Sequence, residues 1–230
     1  MPTVEEHRAA IAALLALLAG RKPELWRGAH PPVGAAPRVL AVDILSRIDL
    51  PPFDNSQMDG YAVRAADVVS GAPLRVAARI PAGHGVDLLA AGTAAPIMTG
   101  APIPDGADSV IPIEAATPDY FQPEQEPATV SFAEPVAAGT FVRTRGSDLA
   151  AGSLLLAAGT VLGPAQWGVL AAAGITEVPL LRRLKVLVLS TGDELTRAGH
   201  PLATGHIYDA NGTSMAAALA GAGAHVSDAL

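Results

Sequence analysis

Cysteine is absent from the 230 residues. That absence excludes a disulfide framework, thiolate metal sites and cysteine nucleophiles. Aromatic residues make up 4% and charged residues 16%, so any core must be built from Ala, Val and Leu rather than rings. Lysine occurs twice, at Lys22 and Lys185, among 15 basic residues. An anion site here leans on arginine and backbone N–H groups. Acidic residues number 22 and the net charge is −7, the opposite sign to that of a duplex nucleic-acid binder. No GxGxxG, Walker A, GxSxG or HExxH motif occurs. The six histidines (His7, His30, His84, His200, His206, His225) show no ligand spacing and read as single surface or core side chains. The apolar run Ala9–Ala19 falls short of the roughly 20 residues that span a bilayer. It is preceded by Glu5 and Glu6 where a secretory leader carries basic residues. The expectation is a cytoplasmic protein with neither membrane nor nucleic acid as partner. The Asn211-Gly212-Thr213 sequon is then a coincidence.

Half of the residues are apolar, while 23 glycines and 20 prolines make the chain turn-rich. Thr3 and Glu6 have capping-box spacing, which predicts a buried helix over 3–20 ending at Gly20. A link rich in Pro and Gly follows (Pro23, Pro31, Pro32, Gly34, Pro37). Val39–Asp43 reads as the end of a short helix. Pro51-Pro52 excludes a central strand over 48–53, and 54–60 reads as a polar loop. Short β-type segments at Leu74–Ile80, Ala95–Met98, Ser109–Glu114 and Thr129–Phe132 predict a small β domain between 61 and 142. Thr117–Pro127 reads as an exposed acidic loop. Pro164 and Gly174 bracket a short helix. Leu184–Ser190 reads as a parallel strand buried on both faces. A small-residue helix over 211–221, capped by Asn211 or Thr213, leads to a strand starting at Ala224. Two parallel strands cannot cover themselves, so this last part is expected to be poorly stable alone.

Four clusters carry candidate chemistry. Asp54-Asn55-Ser56-Gln57-Met58-Asp59-Gly60 offers oxygen donors suited to Mg²⁺ or to a polar heterocycle. The alternative is an Asx-turn loop. Met98-Thr99-Gly100-Ala101-Pro102 lets N–H groups approach an anion, or is a plain β-turn. In Arg143-Thr144-Arg145-Gly146-Ser147-Asp148, two arginines at i and i+2 of an extended segment point the same way and, with Ser147 and the glycine, suit an oxyanion or phosphate. Asp148 there holds a metal or pairs with one arginine. Ser190-Thr191-Gly192-Asp193-Glu194 follows the buried strand, where open parallel sheets bind ligands. Its hydroxyls suit a phosphate and its carboxylates suit Mg²⁺, or Asp193 caps a helix. Ile207-Tyr208-Asp209-Ala210-Asn211 borders the same crevice.

Five phrases in order, PPFDNSQMDGYAVRAADV (Pro51–Val68), IMTGAPIPDGADSVIP (Ile97–Pro112), VRTRGSD (Val142–Asp148), LSTGDEL (Leu189–Leu195) and GHIYDANG (Gly205–Gly212), resemble the MoeA-type molybdenum insertases (molybdopterin molybdenumtransferases), the family that includes the insertase part of gephyrin. The resemblance implies a multidomain α+β and α/β fold. A discontinuous, elongated N-terminal dimerisation domain takes 1–50 and 143–178. A small β-rich domain is inserted over 51–142, and a molybdopterin-binding α/β domain starts at 179–230.

The same resemblance implies a homodimer in which the DNSQMDG loop faces the α/β domain of the other subunit. It implies a reaction in which adenylated molybdopterin meets molybdate, the substrate, and Mg²⁺. The adenylate is hydrolysed and molybdenum passes to the dithiolene. Asp59, Asp193 and Glu194 are the expected catalytic groups, and Asp59, Asp148 and Glu194 the metal ligands. Asn55, Ser56, Thr99, Gly100, Arg143, Arg145, Ser190, Thr191 and Asn211 are the expected substrate contacts. A molybdopterin adenylyltransferase is a candidate partner. The family's α/β domain runs past residue 230. Its SGGVS phrase, a later aspartate-bearing loop and a C-terminal β domain are absent from this sequence. The alternative function is a non-catalytic dimerising fragment or scaffold with an incomplete active site.

Overall fold

The computed structural model describes residues 2–18, 20–28, 37–83, 88–123 and 128–229. His30, His84, most of the Pro- and Gly-rich link and the end of the acidic loop lie outside the described residues. The chain forms two compact units, Met1–Leu45 with Leu154–Leu230, and Ser46–Ser153.

In the first unit, helix α1 spans Val4–Ala16. The capping box forms as read: the Glu6 amide donates to the Thr3 hydroxyl and Glu6 accepts from the Thr3 amide. The helix is shorter than 3–20, and it is not buried. Every one of its residues is exposed, Ile11, Leu14 and Leu15 included. Its apolar residues find no cover among the described residues of the chain. Short antiparallel pairs then join the two ends of the sequence: Glu24–Arg27 with Glu177–Leu180, Arg38–Val39 with Val161–Leu162, and Ile44–Leu45 with Leu154–Leu156. Residues 38–39 are therefore strand, not the end of a helix. β-Branched Val39 fits such a pleat better than a helix turn.

Helix α2 (Pro164–Ala172) runs from Pro at its first position to Gly174 at φ +68, as the bracketing residues require. Lys185–Leu189 pairs in parallel with His225–Ala229, and helix α3 (Ala210–Gly221) links them. This strand is not buried on both faces: Leu187 is 57% and Leu189 65% exposed. A pair of parallel strands with one helix covers one side only. The cap of α3 is Asp209, whose carboxylate accepts from the Gly212 amide at 2.8 Å. Neither Asn211 nor Thr213 takes that position, because the helix already starts at Ala210 and both lie within its first turns.

The second unit is built on a six-stranded mixed sheet. In spatial order its strands are Ser109–Pro112, Gly60–Val63, Thr93–Ile97, Leu74–Val76, Thr129–Phe132 and Ala116–Thr117. Both faces are covered. Tyr61, Val63, Leu74, Val130 and Phe132 pack on one side, with Tyr61 edge-on to Phe132 at 6.0 Å. Ala62, Ile80, Ala95, Ile97 and Val110 pack on the other. Gly60–Val63 is wholly buried and central. A Cβ on Gly60 would stand 2.0 Å from the Ile111 carbonyl oxygen, so only glycine lets the neighbouring strand come this close. The stretch 54–60 is not simply a loop: Asn55–Ser56 is a buried strand pairing with Val142–Arg143.

Candidate functional site

The register Gly60↔Ile97 sets Asp59, at the rim of the sheet, against the turn that follows Ile97. That turn closes by the Ala101 amide donating to the Met98 carbonyl at 3.0 Å, with Gly100 at φ +77. It is the β-turn that the sequence suggests. The turn is fastened to the Asn55–Ser56 strand by two bonds: Gly100 N–H to the Ser56 carbonyl at 2.8 Å, and Ser56 N–H to the Ala101 carbonyl at 3.0 Å. Asp59 Oδ1 accepts both the Thr99 amide and the Thr99 hydroxyl, each at 2.7 Å. These donors, the amide first, hold the Asp59 carboxyl below the usual carboxylate range. Donors aimed at the ionised form favour it.

An open cleft of about 530 Å³ lies over this junction. Asn55, Ser56, Thr99, Gly100, Arg143 and Asp148 line it, with Gln57 and Ser147 alongside. Six expected residues from three sequence phrases thus share one surface. Arg143 pairs with Asp148, which is one of the two roles open to Asp148. Phe141 occupies the left-handed region at φ 52, and its carbonyl accepts the Gln57 amide at 3.0 Å. A bulky residue in that region is an outlier that its surroundings must hold. Here the strain turns the chain into Val142–Arg143.

The two arginines do not project together. Val142–Arg143 is strand, but the chain turns after it, and the Ser147 amide donates to the Thr144 carbonyl. Arg145 instead donates from its amide to Asp54 at 2.7 Å and from its guanidinium to Asp49. Asp49 also accepts the Ala151 amide at 2.8 Å. That amide, and then Arg145, hold the Asp49 carboxyl below its ordinary value. Asp49 has no mark in the sequence, because its partners lie about a hundred positions away. Gln57 stands inside the first phrase with no role of its own, and Ser147, expected beside the arginines, does line the cleft.

The second group belongs to the other unit. Ser190 follows the carboxyl end of Lys185–Leu189, and Leu195–Thr196 pairs in parallel with Ile207–Tyr208. The Ile207 amide donates to the Glu194 carbonyl at 2.8 Å, and the Asp209 amide to Thr196 at 3.1 Å. These bonds bring Ser190 and Asn211 to the amino end of α3. The Ser190 hydroxyl, ahead of the Gly212 amide, holds the Asp209 carboxyl below its usual range. A Cβ on Gly212 would lie 2.5 Å from Ser190 Oγ, so a glycine is needed for the contact. Thr191, Asp193 and Glu194 are exposed on the loop. Asp193 caps no helix, since none follows it. Ser190's partner, Asp209, was read only as bordering the crevice.

Among the described residues, no three His, Cys, Asp or Glu side chains gather into a metal cluster. In the second unit, Arg143 occupies Asp148 and Thr99 occupies Asp59 Oδ1, which leaves Oδ2 of the exposed Asp59 with no donor among the described residues. A lone carboxylate oxygen on an exposed residue fits a hard cation that brings its other oxygen ligands with it, as Mg²⁺ does. It does not make a closed cage. No helix among the described residues is long and apolar enough to cross a membrane.

Residues 2–174 match the family model for the MoeA N-terminal region (domain I and II). The chain is 40% identical over 237 aligned residues to molybdopterin molybdenumtransferase 2 of Mycobacterium tuberculosis, covering 98% of this chain and 54% of that protein. It is 44% identical over 178 residues to the molybdopterin molybdenumtransferase of Haemophilus influenzae, covering 77% of this chain and 43% of the relative. The solved molybdopterin biosynthesis MoeA protein of Pyrococcus horikoshii superposes with a TM-score of 0.76 at 30% identity, over 95% of this chain and 58% of that one. The chain spans about half the length of the curated relatives it matches. The cleft lined by Asn55, Thr99 and Arg143, and the Ser190–Asp209 contact, are features of a chain that belongs to the MoeA family.

Proposed function

We propose that these residues take part in molybdenum cofactor biosynthesis. An adenylated molybdopterin and molybdate are held together, the adenylate is hydrolysed, and molybdenum passes to the dithiolene sulfurs. The observation that carries this reading is the convergence of Asn55, Ser56, Thr99, Gly100, Arg143 and Asp148 on one polar cleft. The Arg143 guanidinium suits an anion in a chain whose net charge is −7. Asp59, held ionised by Thr99, is a weak base. Its role is to aim a water or hold a cation rather than to abstract a proton. When bound, Mg²⁺ supplies charge neutralisation at the phosphoanhydride oxygens. Ser190, Thr191 and Asn211 offer hydroxyl and amide donors at the carboxyl end of a parallel strand, where such sheets take their ligands. Asp193 and Glu194, exposed on that loop, orient water or share the cation.

The same proposal includes a cytoplasmic homodimer, with the three-part division at 1–50 with 143–178, 51–142 and 179–230. In it the DNSQMDG loop meets the α/β part of the other subunit, and a molybdopterin adenylyltransferase delivers the nucleotide. The test is AMP release from adenylated molybdopterin with molybdate and Mg²⁺. Asp59→Asn lowers the rate at least tenfold if Asp59 aims water or holds the cation; full activity in that variant removes it from the site. A second reading is a non-catalytic dimerising fragment. It is favoured by Leu187 and Leu189 standing uncovered beside the Ser190 loop. Dimers that bind the nucleotide without releasing AMP select it.

A further inference from the structure

A cavity of about 210 Å³ in the first unit has a different character from either group above. It lies where the Lys185–Leu189 strand begins and α3 ends, the opposite end of that strand–helix unit from Ser190 and Asp209. Its wall carries Arg21, Arg38, Arg182 and Arg183 over a floor that includes Val186 and Leu219, and no carboxylate among the described residues lines it. Four of the 15 basic residues of an acidic chain meet here. Arg38 is committed: it pairs with Glu24 and donates to the Leu181 carbonyl at 3.3 Å. Arg21 is not, for its Nε–H is buried with no acceptor among the described residues. A buried donor without a partner is costly and calls for an explanation such as a bound anion.

The bland explanation is that the arginines neutralise the carboxyl end of α3. That end is already closed by its own backbone. The Gly223 amide donates to the Ala220 carbonyl and the Ala224 amide to Leu219, each at 3.0 Å, with Gly223 at φ +92. The guanidinium groups of Arg21 and Arg182 are left for something else. Guanidinium forks match phosphoryl oxygens in pairs, and several of them select multiply charged ions.

We propose that this cavity binds a phosphoryl-bearing small anion, with Arg21 and Arg182 as its principal donors and the apolar floor excluding water beneath it. Calorimetric titration of the full chain with pyrophosphate at low ionic strength tests this, with inorganic phosphate, sulfate and citrate at matched ionic strength as comparisons. Pyrophosphate is expected to bind one per chain. Arg21→Gln and Arg182→Gln should each weaken it about tenfold, the loss of one charge-assisted donor. Arginine labelling of the unaltered chain by phenylglyoxal provides a readout that does not depend on the variants folding. Pyrophosphate should slow modification of Arg21 and Arg182 but not of Arg8 on exposed α1. Equal binding of sulfate, stronger binding of citrate, no heat with pyrophosphate, unchanged affinity in both variants, or protection that extends equally to Arg8 would each overturn the proposal.

Discussion

Replacing Thr99 with valine keeps the shape of the side chain and removes one donor to Asp59. The Thr99 amide still reaches Oδ1; the hydroxyl bond of 2.7 Å is lost. A hydrogen bond to an ionised group contributes about 1.5–3 kcal/mol when buried. Both residues here are exposed, and solvent screening reduces the effect to about 0.5–1 kcal/mol. The assay is urea unfolding followed at the amide signals of Gly60–Val63, the strand on which Asp59 is mounted. Because Asp59 titrates below its usual range in the folded chain, the stabilisation is complete above the unfolded carboxyl value of about 3.9. It fades as pH falls through the lower folded value. The gap between wild type and Thr99→Val should therefore be open at pH 7 and close on acidification. Asp49 and Asp209 titrate in both proteins and cancel in the difference. In an Asp59→Asn background the valine substitution should cost little. A gap that stays constant down to pH 2, or an equal cost in the Asn background, refutes the charge-assisted bond.

Two further substitutions probe the scaffold. Gly60→Ala forces a Cβ to within 2.0 Å of a backbone oxygen in the centre of the sheet. It should destabilise the Ser46–Ser153 unit by at least about 3 kcal/mol, visible as loss of the shielded Tyr61 signals while those of Trp167 persist. Asp209→Ala removes the cap of α3, so amide exchange at Gly212 and Thr213 should accelerate at neutral pH. In the unaltered chain the same acceleration should appear only in acid, as the depressed Asp209 carboxyl finally protonates.

Signals in the sequence are legible where the physics is local. Thr3 with Glu6, and Pro164 with Gly174, marked helix ends because capping depends on neighbours three or four positions apart. The strand segments around 74, 95, 109 and 129 were visible as β-type residues between turns. The central strand Gly60–Val63 was not. It is buried on both faces and so shows no alternation, and its glycine resembles the end of a loop. The exposure of α1 and of Leu187 was also hidden, because an apolar stripe says that a face wants cover without saying whether the chain provides it. At the site, the phrases carry the polar residues that line the cleft. The Asp59–Thr99 bond and the split between Arg143 and Arg145 came from strand register and a turn, which no spacing within a phrase encodes.

The junction of Glu24–Arg27 with Glu177–Leu180 has a consequence for synthesis on the ribosome. Arg27 and its ion-pair partner Glu177 are 150 positions apart, so at roughly 5–20 residues per second the first strand waits about 8–30 s for its mate to emerge. Ser46–Ser153 is finished before Glu177 emerges, so it is free to complete its own sheet in the last part of that interval. The nascent chain therefore closes its middle before its beginning, and Trp26 and Leu40 must be shielded meanwhile by the ribosome surface or a chaperone.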